Sequence, residues 1–159
     1  MSRLPQLEYR AEFLKGWPRP NGLHMNYRSD DATLTNGDLV LPVAGGKVAK
    51  VAAAGKAHGV GIVVRGPADD KSVRVAGGIA SGNGREVVGG GNTCIVLFSG
   101  YIVRTTAFDD TATYVEGDVV NTTANGVFGK AGASDPVLGT VLEVENLADG
   151  KKALVIHVA

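Results

Sequence analysis

The chain is predicted to be all-β: a compact β-barrel or β-sandwich built from two related hairpin units, with an extended N-terminal arm. Three observations lead there. Glycine is unusually frequent, 23 of 159 residues, and much of it separates short Val, Ile and Leu runs. That is the pattern of strands joined by tight turns. Long runs rich in Leu, Glu and Lys, the usual material of helices, are absent. Finally, the stretch GDLVLPVAGGKVAKVAAAGKAHGVGIVV from Gly37 recurs in outline from Gly117 as GDVVNTTANGVFGKAGASDPVLGTVLEV.

Both copies begin Gly-Asp-x-Val and reach a second glycine after five more residues (Gly46, Gly126). An apolar residue follows two further on (Val48, Phe128), then a lysine two beyond that (Lys50, Lys130). Each closes on Gly-x-Val, at Gly61 and Gly139, the second copy arriving two residues sooner. Two copies do not make a solenoid; they predict two hairpin units in one domain. The pairs Gly37-Asp38 and Gly117-Asp118 are read as structural turns. Glycine takes the positive φ of a tight strand entry, and aspartate accepts backbone N–H groups across the turn.

Residues 1–33 differ in kind and are read as the arm, with residues 34–159 as the β domain. The arm holds Tyr9, Phe13, Trp17 and Tyr27, three of the six prolines, and five basic residues before position 31. Leu7–Leu14 has room for two helical turns, while Pro18 and Pro20 force an extended path. The arm is expected to pack along the domain or along a neighbouring molecule. Its removal, residues 1–30, is expected to abolish partner binding and leave the β domain folded.

After the Asn36-Gly37 turn, Asp38–Val43 and Lys47–Ala53 pair about Ala44-Gly45-Gly46 as a hairpin. Gly59–Arg65 is a further strand. Residues 66–92 form a glycine-rich insert or protruding hairpin, since so long a structureless loop is unusual in a compact domain. Thr93–Thr105 reads as one strand, with Gly100 a bend or bulge. The second Gly-Asp unit turns at Asn125-Gly126, and Val137–Glu145 and Lys152–Val158 finish the domain. Some eight to ten short strands with little helix fit a barrel or sandwich.

Charge balances at 16 basic and 16 acidic residues, which points to neither nucleic acid nor a membrane surface as partner. The distribution is uneven: residues 101–159 carry four basic side chains against eight acidic. The lone Cys94 excludes an internal disulfide framework and a cysteine zinc cluster. No run approaches the roughly 18–20 apolar residues that span a bilayer, and the N-terminus lacks the apolar core of a signal peptide. A soluble product, not addressed for export, is expected.

Chemistry is sparse. His24, His58 and His157 are scattered, with no HExxH or His-x-His spacing. Asp69-Asp70 and Asp109-Asp110 are paired carboxylates in loop composition, without EF-hand spacing. Gly59-x-Gly61 and Gly82-x-Gly84 lack the rest of a dinucleotide or P-loop signature. No catalytic residue, metal ligand or cofactor is assigned, and an enzyme is not expected.

Several of these motifs together resemble the capsid-decoration (cement) proteins of tailed bacteriophages. The resemblance rests on the run Val96-Leu97-Phe98-Ser99-Gly100-Tyr101-Ile102-Val103, the Gly117–Val120 strand and the Asn125-Gly126 turn. It continues through Leu138-Gly139-Thr140-Val141-Leu142 and Ala153–Val158, with Gly37–Val40 and Val60–Val63 matching the first half. It covers roughly residues 35–159; the 66–92 insert and the aromatic arm depart from it. The resemblance implies a structural virion protein on the outer capsid surface, often a homotrimer, clamping neighbouring major capsid subunits. On that reading Tyr9, Phe13, Trp17 and Tyr27 are apolar anchors. Arg3, Arg10, Arg19 and Arg28 would meet acidic capsid surface. The alternative is a phage fibre, spike or receptor-binding β domain recognising a host-surface ligand, with its contacts in loops 66–92 or 106–116.

Overall fold

The computed structural model describes residues 9–15, 24–69 and 92–159, and among them every regular element is a strand. Strand β1 (Ala11–Lys15) belongs to the second of two sheets. The first sheet is a closed five-stranded barrel. It contains β2 (His24–Ser29), β3 (Leu39–Val43), β4 (Lys47–Lys50), β5 (Gly61–Arg65) and β6 (Asn92–Leu97), in the order β2-β4-β3-β5-β6. The second sheet adds β7 (Tyr101–Thr105), β8 (Val119–Thr122), β9 (Phe128–Lys130), β10 (Gly139–Asn146) and β11 (Lys152–Val158). Its order is β1-β7-β11-β10-β8-β9.

The two sheets are one unit built twice. Strands β8 to β11 repeat β3 to β6, and β7 takes the place of β2. Val40 pairs with Lys50 and Gly61, and Val120 pairs with Lys130 and Gly139. Even the irregularities match. Register slips between Val63 and Arg65 in β5, and between Val141 and Glu143 in β10. An extra residue there bends each strand and increases its twist.

The second unit is an open sheet, but it carries a counterpart of the contact that closes the first. β2 meets β4 in parallel at a single pair, Arg28 and Lys47. In the second unit a parallel bridge joins Phe108 to Phe128, just after β7. There Asp109 N donates to Phe128 O (2.7 Å) and Phe128 N donates to Ala107 O (3.3 Å).

Alternation explains why such short strands hold. Leu39 and Val40 are both fully buried, because β3 is covered on both faces. Val40, Val48, Val63, Cys94 and Val96 pack with Leu34 in one cluster. Leu39, Ile62 and Leu97 join Val103, Val120, Phe128, Leu154 and Ile156 of the second sheet in a larger one. Each such side chain contributes about 1.5–3 kcal/mol on full burial. One apolar core therefore spans both sheets.

The structure departs from the sequence-based expectations in two places. Thr93–Thr105 is two strands, not one. Gly100 adopts φ of +71°, and the chain leaves the barrel at Leu97 to enter the other sheet at Tyr101. The helical turns expected within Leu7–Leu14 do not form over its described part, where Ala11–Leu14 lies in β1. Ala11, Glu12 and Phe13 pair with Thr105, Arg104 and Val103 of β7. A ladder to a buried neighbour outweighs local helix preference. Of the stretch 1–33, then, the described residues contribute one strand to each sheet. Arg3, Trp17 and Arg19, and positions 70–91 of the glycine-rich segment, lie outside the described residues.

Candidate partner-binding surface

The two Gly-Asp turns share the bonds made by their backbone N–H groups atom for atom. Gly37 and Gly117 have φ of +92° and +89°, a conformation that a side chain would strain. Gly37 N donates to Val63 O (2.9 Å) and Gly117 N to Val141 O (2.8 Å). Asp38 Oδ2 accepts Thr35 N (3.0 Å), and Asp118 Oδ2 accepts Val115 N (2.8 Å). A lysine closes each turn: Lys50 Nζ lies 3.4 Å from Asp38, and Lys130 Nζ 2.8 Å from Asp118. Their surroundings differ. The Asp38 side chain is 1% exposed and also receives Arg10, whereas that of Asp118 is 19% exposed.

Arg10 is a brace between the units. Its carbonyl accepts Thr106 N (2.8 Å) and Thr105 Oγ1 (2.9 Å), while its guanidinium donates to Asp38 Oδ1 (3.0 Å). Beside it Ala11 N donates to Asn36 Oδ1 (2.6 Å). Phe13 is half-buried edge-on to Tyr101, and Tyr27 stacks edge-on to Phe98 (5.5 Å between centroids). Tyr9 and Arg28 are exposed. Of the described anchor residues, then, Phe13 and Tyr27 pack on their own domain and Tyr9 presents its ring outward.

An open groove of about 870 Å³ lies beside the second unit. Tyr9, Phe108 and Tyr114 line it, with Asp110, Asp149 and Lys151 among its polar groups. Phe108 and Tyr114 meet edge to face at 5.4 Å, and Tyr114 OH donates to Asp109 O (2.9 Å). Burial, and then the Asp109 charge, push the Tyr114 hydroxyl up to about 12, so it stays a donor at neutral pH. Burial alone raises the Cys94 thiol to about 11, which leaves it a packed apolar group and not a nucleophile.

Neutral-pH carboxylates hold several turns. Thr33 and Thr111 each donate hydroxyl and backbone N–H to Asp31 and Asp109, and these bonds keep both carboxyls below their ordinary 3.8. Lys130 first, and then the Val115 N–H, do the same for Asp118. A carboxyl depressed in the folded state adds stability that is present above its unfolded value and lost as pH falls through the folded one. The melting temperature should therefore hold from neutral pH to about 5 and drop below about 4. The double variant Asp31→Asn, Asp109→Asn should show a shallower acid loss in a pH series of thermal melts. An unchanged acid slope would contradict this.

No protein-family model matches the chain, and no curated protein matches it. Its functional reading rests on its own residues. The groove escaped sequence reasoning because it gathers positions 9–10, 106–114 and 144–154 from three separate stretches. Tyr114 had one local signal: an aromatic three residues before a Gly-Asp pair, where the first copy has the buried Leu34.

Proposed function

We propose that the chain is a structural virion protein of a tailed bacteriophage. It binds the outer surface of the mature capsid, as a homotrimer, and clamps neighbouring major capsid subunits. The observation that carries this reading is how the acidic side chains are used. Asp31, Asp38, Asp69, Asp109, Asp118 and Asp135 all accept backbone N–H groups in turns. The carboxylates hold a rigid scaffold, while Tyr9, Val43, Val115 and Val137 stand exposed on it. Exposed apolar side chains on a stiff frame suit protein contact better than turnover.

A protein that binds only the assembled lattice stabilises that lattice by mass action. Several copies gripping at once convert weak individual contacts into long residence. The motifs that resemble decoration proteins all fall on the duplicated framework, from β3 to β11. The groove favours one second reading, recognition of a host-surface ligand by a fibre or spike domain. Its aromatic rings and flanking charges are the groups such a site would use.

Co-sedimentation with expanded and unexpanded heads of the cognate phage separates the readings. Saturable uptake by expanded heads alone is the expected result. Binding to host cells or their glycans, with none to heads, would replace the first reading with the second.

A further inference from the structure

Among the described residues the duplication leaves one contact made and its counterpart unmade. The tip of the β8–β9 hairpin docks on the first unit. Gly126 O accepts Leu39 N (2.8 Å), Thr122 N donates to Lys56 O (3.2 Å), and Gly55 N donates to Thr122 O (2.9 Å). Thr122 Oγ1 donates to Ala53 O and accepts from Lys56 N, each at 2.9 Å. A Cβ on Gly126 would fall 2.7 Å from the Lys50 side chain, so the bare backbone lets the tip seat. On the same surface Ala107, Arg10 and Ala11 press on Gly37. Gly37, Asp38 and Leu39 are buried as a result.

The corresponding surface of the second unit is open. Among the described residues nothing lies within 4 Å of a Cβ built on Gly117, which is exposed. Lys130 and the whole link 132–137 are exposed too, and Val115 and Val137 show 56% and 52% of their surface. Among the described residues the corresponding tip, Val43 to Gly46 of the β3–β4 hairpin, is equally unused. Nothing among the described residues lies within 4 Å of a Cβ on Gly45 or Gly46, and Val43 is 45% exposed. Gly46 nonetheless holds the backbone shape of Gly126, with φ of +68° against +69°. Among the described residues there are thus one filled socket, one empty socket and one spare plug.

We infer that the β3–β4 tip of one copy docks on the Gly117–Val119 surface of a second copy, head to tail. The contact repeats between molecules what the β8–β9 tip does within each. It is the weaker of the two. Pro42 stands where Thr122 does, so the N–H and hydroxyl bonds are lost and only the carbonyls of Pro42 and Gly46 remain to accept. Apolar burial takes a larger share, with Val43 set against the Val115 and Val137 side. Two different surfaces meet, so the interface is heterologous and propagates into a closed ring or an open string. This docking follows from the duplication and holds whether or not the protein binds a capsid.

Sedimentation velocity on the full-length chain across a wide concentration range tests it. The wild type should sediment faster as concentration rises. Val43→Asp and Val137→Asp should each weaken association by about tenfold or more with an unchanged thermal melt. The milder Val43→Ser and Val137→Ser should act in the same direction should either charge disturb folding. Leu14→Asp, on the far edge of the six-stranded sheet, should associate like the wild type. The mixture is decisive, since V43D keeps a good socket and V137D keeps a good tip. Equimolar V43D and V137D should form a one-to-one dimer and nothing larger. A wild type that stays monomeric throughout overturns the inference. So does association untouched by both substitutions, or a mixture that forms no dimer.

Discussion

A chain lacking residues 1–30 is expected not to fold. The cut removes β1 and β2, and β2 is a member of the closed barrel. Six consecutive pairs, from His24 with Leu97 to Ser29 with Asn92, join it to β6. Its loss would open the barrel, strip an edge of β6 and expose Val96 and Cys94, both buried in the intact protein. It also removes Arg10, whose carbonyl and guanidinium tie β7 to the Asp38 turn. Losing one of five barrel strands costs an amount comparable with the roughly 5–15 kcal/mol that keeps a domain folded. This reverses the expectation, drawn from sequence, that the domain survives without its leader. Circular dichroism and a thermal melt decide the matter: a cooperative melt near that of the full chain would sink it. Loss of binding to any partner in such a truncation would report unfolding and not a missing contact.

Asp38→Ala should cost far more than Asp118→Ala, although the two positions hold the same motif. Asp38 is buried and is met by Thr35 N, Arg10 and Lys50 at once. Removing a buried carboxylate from two cations leaves their charges without a partner, which typically costs about 3–5 kcal/mol. Both cations here are partly exposed and recover some hydration, so the lower end, about 3 kcal/mol, is expected. The Asp118 carboxylate lies at the surface, where water replaces it for Val115 N and Lys130 at little loss. Denaturant unfolding of the two variants side by side measures the difference. Equal losses would mean that the turn alone matters and the inter-unit brace contributes nothing.

The duplicated hairpins were legible because their landmarks are glycines with a conformational duty. Gly37, Gly46, Gly117 and Gly126 all have positive φ, and lysines at fixed offsets close both turns. The repeat in fact begins earlier, at the Asp31–Thr33 and Asp109–Thr111 turns. It was hidden because three positions separate Asp31 from Leu34, but five separate Asp109 from Tyr114. The link after Ala131 is two residues shorter than that after Val51, which restores the count by Gly139.

The strand break at Gly100 was not legible for a different reason. Ile95–Phe98 and Tyr101–Val103 are equally apolar because both pack into buried sheets, so the run gives no hint that the chain changes sheet. The leader misled through its composition. Ala11-Glu12-Phe13-Leu14 suits a helix as well as a strand, and only the waiting edge of β7 decides. The candidate surfaces were the least legible part. They depend on which of two matching faces the fold happens to cover, and no local pattern records that.

The passage from Leu97 to Tyr101 spans only Phe98, Ser99 and Gly100. A tether that short, over a common apolar interior, leaves the units no hinge to swing on. The span from the β3–β4 loop to the Gly117 face is then a fixed length, a ruler written into the monomer. Any ring or filament of copies would inherit its pitch from that ruler, and could engage only a lattice whose repeat agrees with it.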